Sequence, residues 1–321
     1  MLDGLTHEQQ MLQESTRRFV DEEMLPHEDL VDREGHVPIE LGRQIEFRAK
    51  DVGLFAANLP ENVGGGGLDY TSMAVIEREF GRTSHALHAW VARPTELLLA
   101  TEGAQKEQYL APCVTGAKRE LFALSEPEAG SDIMSMKSNA KRDGKDWILT
   151  GSKHFISGPV MPDFAIVFAA TGHDETPRGP RPRITAFLVD VGMPGFDIQV
   201  GYNCVSYRGY LNFKLDFDNV RLSPDHILGE EGRGLELSGK WLGMGRIWVG
   251  ATCCGKAERL FEMATSWAAE RKQFGQAIGK FQATGFKLAD MAVELRAADL
   301  LVKDAISKAD QGVMTDSDAA M

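Results

Sequence analysis

The apolar pattern of this chain changes period twice. Helical spacing rules up to about Glu120, short β-branched and aromatic runs follow, and helical spacing returns after Gly232-Arg233-Gly234. Strands and helices therefore do not alternate, which excludes a doubly wound parallel sheet. At 321 residues the chain is also too long for a single core. The expected architecture is α+β and multidomain: an N-terminal helical domain over 1–120, a small barrel- or sandwich-like β-domain over 121–233, and a C-terminal helical bundle over 234–321 that is incomplete.

Local signals fill in this frame. Thr6 and Gln9 suit a capping box ahead of Met11, Leu12, Phe19 and Val20, and Pro26 is expected to end that helix. Further helices are expected over 39–52, 71–80 and 96–111. Pro60–Gly67 is glycine-rich, but it has no GxGxxG spacing and no Lys-Ser/Thr after it, so a turn is the better reading than a phosphate loop. Runs at 121–124, 147–150, 164–170, 184–189 and 213–217 read as strands, punctuated by Gly158-Pro159, Gly179-Pro180 and Met193-Pro194-Gly195. Long helices are expected over 235–271 and from Phe281 to about Gln311, with Gly312 as a stop. Thr315 or Ser317 looks like the N-cap of a further element, followed only by Ala319-Ala320-Met321.

Composition narrows the partners. The net charge of −12 argues against nucleic acid, which calls for a basic stripe, but leaves room for an anionic ligand held by a few arginines. Four cysteines without a CxxC pair argue against disulfide or zinc frameworks. No apolar run reaches a membrane span of about 18 residues, and the first residues lack a leader pattern, so a cytoplasmic protein is expected.

Four segments concentrate chemistry: Leu124–Asp132, Gly151–Ser157, Leu228–Gly234, and Glu270–Gly275 followed by Phe281-Gln282. Read alone, each is ambiguous. Ser125-Glu126-Pro127 and Ala129–Asp132 form a polar loop leaving a strand, able to bind an anion or a carbonyl or to be an ordinary loop. Phe155 beside Ser157 suits a planar heterocycle, and suits core packing as well. Arg271 and Phe274, three apart, are expected on one helical face, as a pyrophosphate partner or as a solvated Arg beside a core Phe.

Together and in this order, the segments resemble the acyl-CoA dehydrogenase family across the whole chain. Ser125–Asp132 is similar to that family's T-E-P-x-A-G-S-D signature, and Glu270–Gly275 to its E-R-x-x-F-G motif. The resemblance implies FAD as cofactor and α,β-dehydrogenation of an acyl-CoA thioester to the 2-enoyl-CoA. A carboxylate would take the Cα proton while hydride leaves Cβ for the flavin. It places Phe122, Leu124 and Ser125 at the flavin's pyrimidine side. Phe155 stands where the family usually has Trp, and Ser157 where it has Thr. Arg271, Phe274 and Gln282 would hold the ADP half of a neighbouring subunit's FAD, Ser131 the pantetheine–phosphate arm, and Arg246 the thioester end. A homo-oligomer, dimer or tetramer, and an electron-transfer flavoprotein as redox partner are implied as well.

The sequence departs from the family pattern in one respect that matters. The usual catalytic carboxylate, in a late x-E-G-T segment, is absent and is expected beyond Met321. The minority position on the first bundle helix is Gly245, and the nearby acids Glu236 and Glu258 lie more than two turns away, so no base is named. The 321-residue chain is expected to bind acyl-CoA without reducing the flavin. Two other readings stay open: a redox-inactive FAD- or acyl-CoA-binding module of the same fold, and a related flavin enzyme with a different reaction. Arg93 is read either as a pocket residue selecting an anionic acyl end or as a surface Arg before a helix starting at Pro94. Trp90 and Trp248 are core residues first and pocket-shortening residues second.

Overall fold

The computed structural model describes residues 4–91, 93–177 and 179–321, with Lys240 described by its backbone only. The α-helices are α1 (His7–Phe19), α2 (Glu28–Glu34), α3 (Ile39–Asp51), α4 (Tyr70–Gly81), α5 (His85–His88), α6 (Ala111–Val114), α7 (Gly234–Glu270), α8 (Gln282–Asp310) and α9 (Asp316–Ala320). Contacts divide the chain into two compact units with interleaved segments. The first comprises Met1–Glu28, Leu68–His88 and Leu242–Met321, and the second Asp29–Gly67 and Ala89–Trp241.

The first unit is helical. The expected capping box opens α1: Gln9 N–H donates to Thr6 Oγ1 at 3.2 Å, and Thr6 N–H to Gln9 Oε1 at 3.1 Å. Pro26 does not end the helical run as expected. α1 passes through a π turn, Val20–Met24, into a 3-10 turn, Leu25–His27, that takes Pro26 in its first turn, where a missing amide costs little. α4 is buried along Ser72–Gly81, so its charged residues must be paired. Arg78 is paired with Asp299 of α8 and with Glu258 of α7, and Glu79 with Arg17 of α1. Two glycines let backbones touch. A Cβ on Gly81 would sit 2.0 Å from the Thr252 carbonyl oxygen, and one on Gly255 1.7 Å from that of Arg78. Gly312, at φ +71°, ends α8 as expected, with Val313 N–H returning to Lys308 O at 2.9 Å. Thr315 is the cap of α9.

The second unit holds the sheet, with β1 (Glu120–Ala123), β2 (Asn139–Asp143), β3 (Asp146–Gly158), β4 (Phe164–Thr176), β5 (Gly179–Asp190), β6 (Phe196–Val200), β7 (Leu211–Leu222) and β8 (Ile227–Leu228). Strand order is β6-β7-β3-β2-β4-β5-β8, and β1 pairs in parallel with β4. Gly179-Pro180, expected to punctuate, opens β5 instead. Leu121, Trp147, Leu149, Phe187, Phe213 and Leu215 anchor the core. Residues 96–111, expected as one helix, form a 3-10 turn, Glu96–Ala100, a π turn, Lys106–Leu110, and the start of α6. Thr95, not Pro94, caps the first of these, its side chain accepting from Leu97 N–H. Trp90 and Trp248 are both fully buried, each in its own unit. A Cβ on Gly42 would lie 2.0 Å from the Trp90 indole.

Pro60–Gly67 is a packed turn. The amides of Gly64, Gly65, Gly66 and Gly67 donate to the carbonyls of Glu61, Pro60, Ala56 and Leu59, which leaves none of the four for a phosphate.

Candidate functional site

The polar loop leaving β1 is built around a buried ion pair. Lys153 Nζ lies 2.8 Å from Glu126 Oε1 and donates to Leu124 O at 2.9 Å. The Glu126 carboxylate also accepts from Lys137 N–H at 2.6 Å and Ser138 N–H at 3.0 Å. Burial pushes the Glu126 carboxyl up, but the Lys153 ammonium and these donors outweigh it and hold the group below its ordinary range. Burial also pulls Lys153 down to about 8, against the pull of Glu126. The loop so fixed presents Ser125, whose hydroxyl makes no hydrogen bond among the described residues, and then exposed Gly130 and Ser131, whose amides are equally unengaged among them. Leu124 is buried beneath it. Phe122 lies between Phe168, at 5.1 Å, and Trp241, at 4.4 Å.

Beside this loop, β3 carries a bulge. Lys153 pairs with Leu215 and Ile156 with Phe213, so His154 and Phe155 together face Lys214 alone. Phe155 takes φ +53°, a left-handed conformation that costs a non-glycine residue roughly 1–2 kcal/mol. The bulge turns its ring outward, 57% exposed, against Tyr202 at 4.9 Å and His154 at 4.2 Å. His154 N–H donates to Ser125 O at 3.1 Å and joins the bulge to the loop. Ser157 Oγ donates to Asn212 Oδ1 at 3.2 Å. Strained backbone of this kind clusters at binding and catalytic sites. Phe122, Leu124, Ser125, Ser131, Phe155 and Ser157 thus all belong to the second unit.

The remaining sequence-predicted residues belong to the first unit. Arg271 and Phe274 do not share a helical face. α7 stops at Glu270, and β9 (Lys272–Gln273) and β10 (Gln276–Ala277) form a hairpin whose turn is Phe274-Gly275. Both turn residues have positive φ, +50° and +78°, the requirement of a type I′ hairpin, and this outweighs helical continuation. Phe274 is 94% exposed at the tip, edge-on to Phe281 at 6.1 Å. Arg271 and Gln282 flank the hairpin, exposed and without side-chain partners among the described residues. Arg246 is exposed on α7 beside Gly245, around which a Cβ would meet nothing within 4 Å. The nearby acids are engaged: Glu236 with Arg233 at 3.0 Å, and Glu258 with Arg78 at 3.2 Å and Arg82 at 3.3 Å.

Sequence reasoning missed Lys153, Tyr202, Asn212 and Trp241. Only Lys153 left a signal, as a lysine inside a strand pattern in a chain whose preceding polar loop carries Glu126.

Models of the N-terminal, middle and C-terminal domains of acyl-CoA dehydrogenase match residues 6–117, 121–220 and 232–321. The chain is 34% identical to 3-(aryl)acrylate reductase of Clostridium sporogenes, covering 98% of this chain and 83% of that protein. It is 33% identical, over the same shares, to the caffeyl-CoA reductase-Etf complex subunit CarC of Acetobacterium woodii. Among solved structures, butyryl-CoA dehydrogenase from Megasphaera elsdenii superposes with a TM-score of 0.86 at 31% identity, covering 100% of this chain and 84% of that one. The chain belongs to the acyl-CoA dehydrogenase family, FAD-binding oxidoreductases that act on acyl-CoA thioesters. The sheet unit's residues fit the ring of FAD: an exposed ring at Phe155 and donors at Ser125 and Ser131 that are unengaged among the described residues; in the helical unit, by itself, Arg271 offers a guanidinium suited to phosphate charge.

Proposed function

We propose that this protein uses FAD to interconvert an acyl-CoA thioester and its 2-enoyl-CoA, with the flavin seated on the Phe155 bulge of the sheet unit. The observation that carries this reading is the strained, outward-turned Phe155 ring joined through His154 to the Ser125 loop. When bound, FAD supplies the hydride acceptor. In this reading Ser125 and Ser157 orient the ring through their hydroxyls, and Phe122 and Leu124 shield its edge from water. Ser131 and its neighbouring amides take the pantetheine–phosphate arm, and Arg246 the thioester end.

Arg271, Phe274 and Gln282 serve a neighbouring subunit's ADP moiety in this reading. An oligomer is supported by the apolar side chains left on α7 and α8, among them Met263, Trp267, Phe286 and Val293, each more than half exposed. Arg271→Ala is expected to weaken FAD binding about 10–100-fold, the loss of a charge-assisted contact, without changing the thermal unfolding of the apoprotein. Tight FAD binding by a monomeric Arg271→Ala protein in light scattering would remove the cross-subunit role. An electron-transfer flavoprotein is the proposed redox partner, supported by the Etf-complex relative. The unpaired cysteines support a reducing compartment, the cytoplasm.

A second reading concerns direction. Two of the three relatives above are named as reductases and the third as a dehydrogenase, so operation from the unsaturated acyl compound toward the saturated one is the reading to test beside the first. Anaerobic mixing of the FAD-loaded protein with saturated straight, branched and carboxylate-ended acyl-CoAs tests the first direction by flavin bleaching. Reoxidation of chemically reduced flavin by aryl-acryloyl-CoA tests the second. The 321-residue chain alone is expected to stay silent, so the decisive panels use a form that carries the late x-E-G-T carboxylate, and silence of that form across both contradicts the proposed reaction.

A further inference from the structure

Ser157 and Asn212 are a cross-strand pair of β3 and β7. Ser157 is exposed, whereas Asn212 is only 5% exposed, and a buried amide must satisfy both of its ends. Asn212 Nδ2 donates to Cys204 Sγ at 2.9 Å, which turns Oδ1 toward Ser157, and Oδ1 accepts from the Ser157 hydroxyl at 3.2 Å. The Asn212 backbone is fixed as well, its carbonyl accepting from Gly201 N–H at 2.6 Å. A serine hydroxyl has a single hydrogen and two lone pairs. That hydrogen has two acceptors inside the chain, Asn212 Oδ1 and, more weakly at 3.4 Å, Phe155 O. No group among the described residues donates to Ser157 Oγ. The hydroxyl is thus committed as a donor within the chain and turns lone pairs outward. The two redox forms of a flavin respond differently to such a group. The oxidised ring presents mostly acceptors along its polar edge, and the reduced ring gains an N–H there. An acceptor hydroxyl pairs with that N–H and is mismatched against an oxidised acceptor.

We infer that Asn212 is a positioning residue of the flavin site: by accepting from Ser157 it holds that hydroxyl as an acceptor toward the ring, and so favours reduced over oxidised FAD. This rests on the reading that the flavin sits at the Phe155 bulge. Variants of the purified full chain test it: Ser157→Ala, Ser157→Thr, Asn212→Leu, Ser157→Ala combined with Asn212→Leu, and Phe155→Ala. Ser157 is exposed, so its truncation leaves the fold intact. Leucine fills the volume of Asn212 without its polar ends. The readouts are the dissociation constants of oxidised and of chemically reduced FAD, measured anaerobically, and the reduction potential of the bound flavin. A merely structural role at Asn212 would move both constants together and leave the potential in place.

Ser157→Ala is expected to weaken the binding of reduced FAD about tenfold, the loss of a neutral hydrogen bond, and to hold oxidised FAD within about twofold. The potential should fall by about 30 mV, the equivalent of that tenfold change for a two-electron couple. Asn212→Leu frees the hydroxyl to donate to the oxidised ring, so the potential should fall by a similar amount. Ser157→Thr keeps the hydroxyl and should keep the potential. In the double variant Asn212→Leu should add nothing to Ser157→Ala, because it acts through a hydroxyl that is no longer present. A wild-type potential in Asn212→Leu, with Phe155→Ala binding FAD weakly, overturns the inference and leaves the flavin seat standing. So does a fall in potential that recurs in full when Asn212→Leu is added to Ser157→Ala. If Asn212→Leu does not fold, Ser157→Ala decides: equal weakening of both FAD forms, or weakening of the oxidised form alone, overturns the inference. Unchanged FAD binding in both Phe155→Ala and Ser157→Ala removes the flavin from the bulge, and the inference with it.

Discussion

Lys153→Met is expected to destabilise the sheet unit by about 3–5 kcal/mol, the usual cost of leaving one partner of a buried ion pair uncompensated. Both side chains are buried, and only two backbone amides would remain on the Glu126 carboxylate. Thermal unfolding should show a fall of roughly 10 °C, and FAD affinity should fall with it because Lys153 also anchors Leu124 O, next to Ser125. The double variant Lys153→Met/Glu126→Gln, which removes both charges, should recover part of the loss. The pH dependence has a definite sign. Glu126 is held below its ordinary value of 4.5, so its stabilisation is complete above that pH and is lost as pH falls through the folded value. Lys153 deprotonates near 8 in the fold and near 10.5 when unfolded, so the folded state binds fewer protons between these values and this group's contribution rises with pH across them. Glu126→Gln should flatten the acid limb in denaturant titrations at stepped pH. An unchanged acid limb would contradict the assignment.

Gly255→Val is expected to be at least as damaging. The 1.7 Å approach of a Cβ at Gly255 is to the backbone carbonyl of Arg78, which cannot rotate away, so the variant must move α4 from α7. Overpacking of this kind costs about 1–3 kcal/mol when side chains yield and more when backbone must shift. Displacing α4 also disturbs the Arg78 pairs with Asp299 and Glu258. The expected result is a first unit that is unfolded, or folded with its transition shifted to much lower denaturant. Gly245→Ala, in open space on the same helix, is the matched control and should be neutral or slightly stabilising. Equal behaviour of the two variants in circular dichroism melts would refute the close crossing.

The long helices and most strands were legible because their periodicity is local. α3 and α8 fall within a residue or two of expectation, and Thr6, Thr315 and Gly312 act as the cap and stop signals they resemble. Elements fixed by turn chemistry or tertiary context were not. Lys272–Ala277 reads as a helix continuation until the two positive-φ residues Phe274 and Gly275 are recognised as a hairpin turn. Pro26 fails to break its helix because a 3-10 turn receives it. For the candidate site, Phe155 and Ser157 could be singled out as an aromatic–hydroxyl pair, but the bulge that turns Phe155 outward depends on its register with β7. Tyr202 and Asn212 meet that pair across about fifty residues of chain, which no local pattern encodes. The interleaving of segments between the two units is likewise a property of long-range contacts.

In the proposed site the sheet unit seats a flavin through Phe155, Ser125 and Ser157. Denaturing the purified protein and identifying the released chromophore tests it most directly. The expected result is a yellow protein that releases FAD, with Phe155→Ala retaining markedly less of it. A colourless protein that stays colourless after incubation with FAD would contradict it.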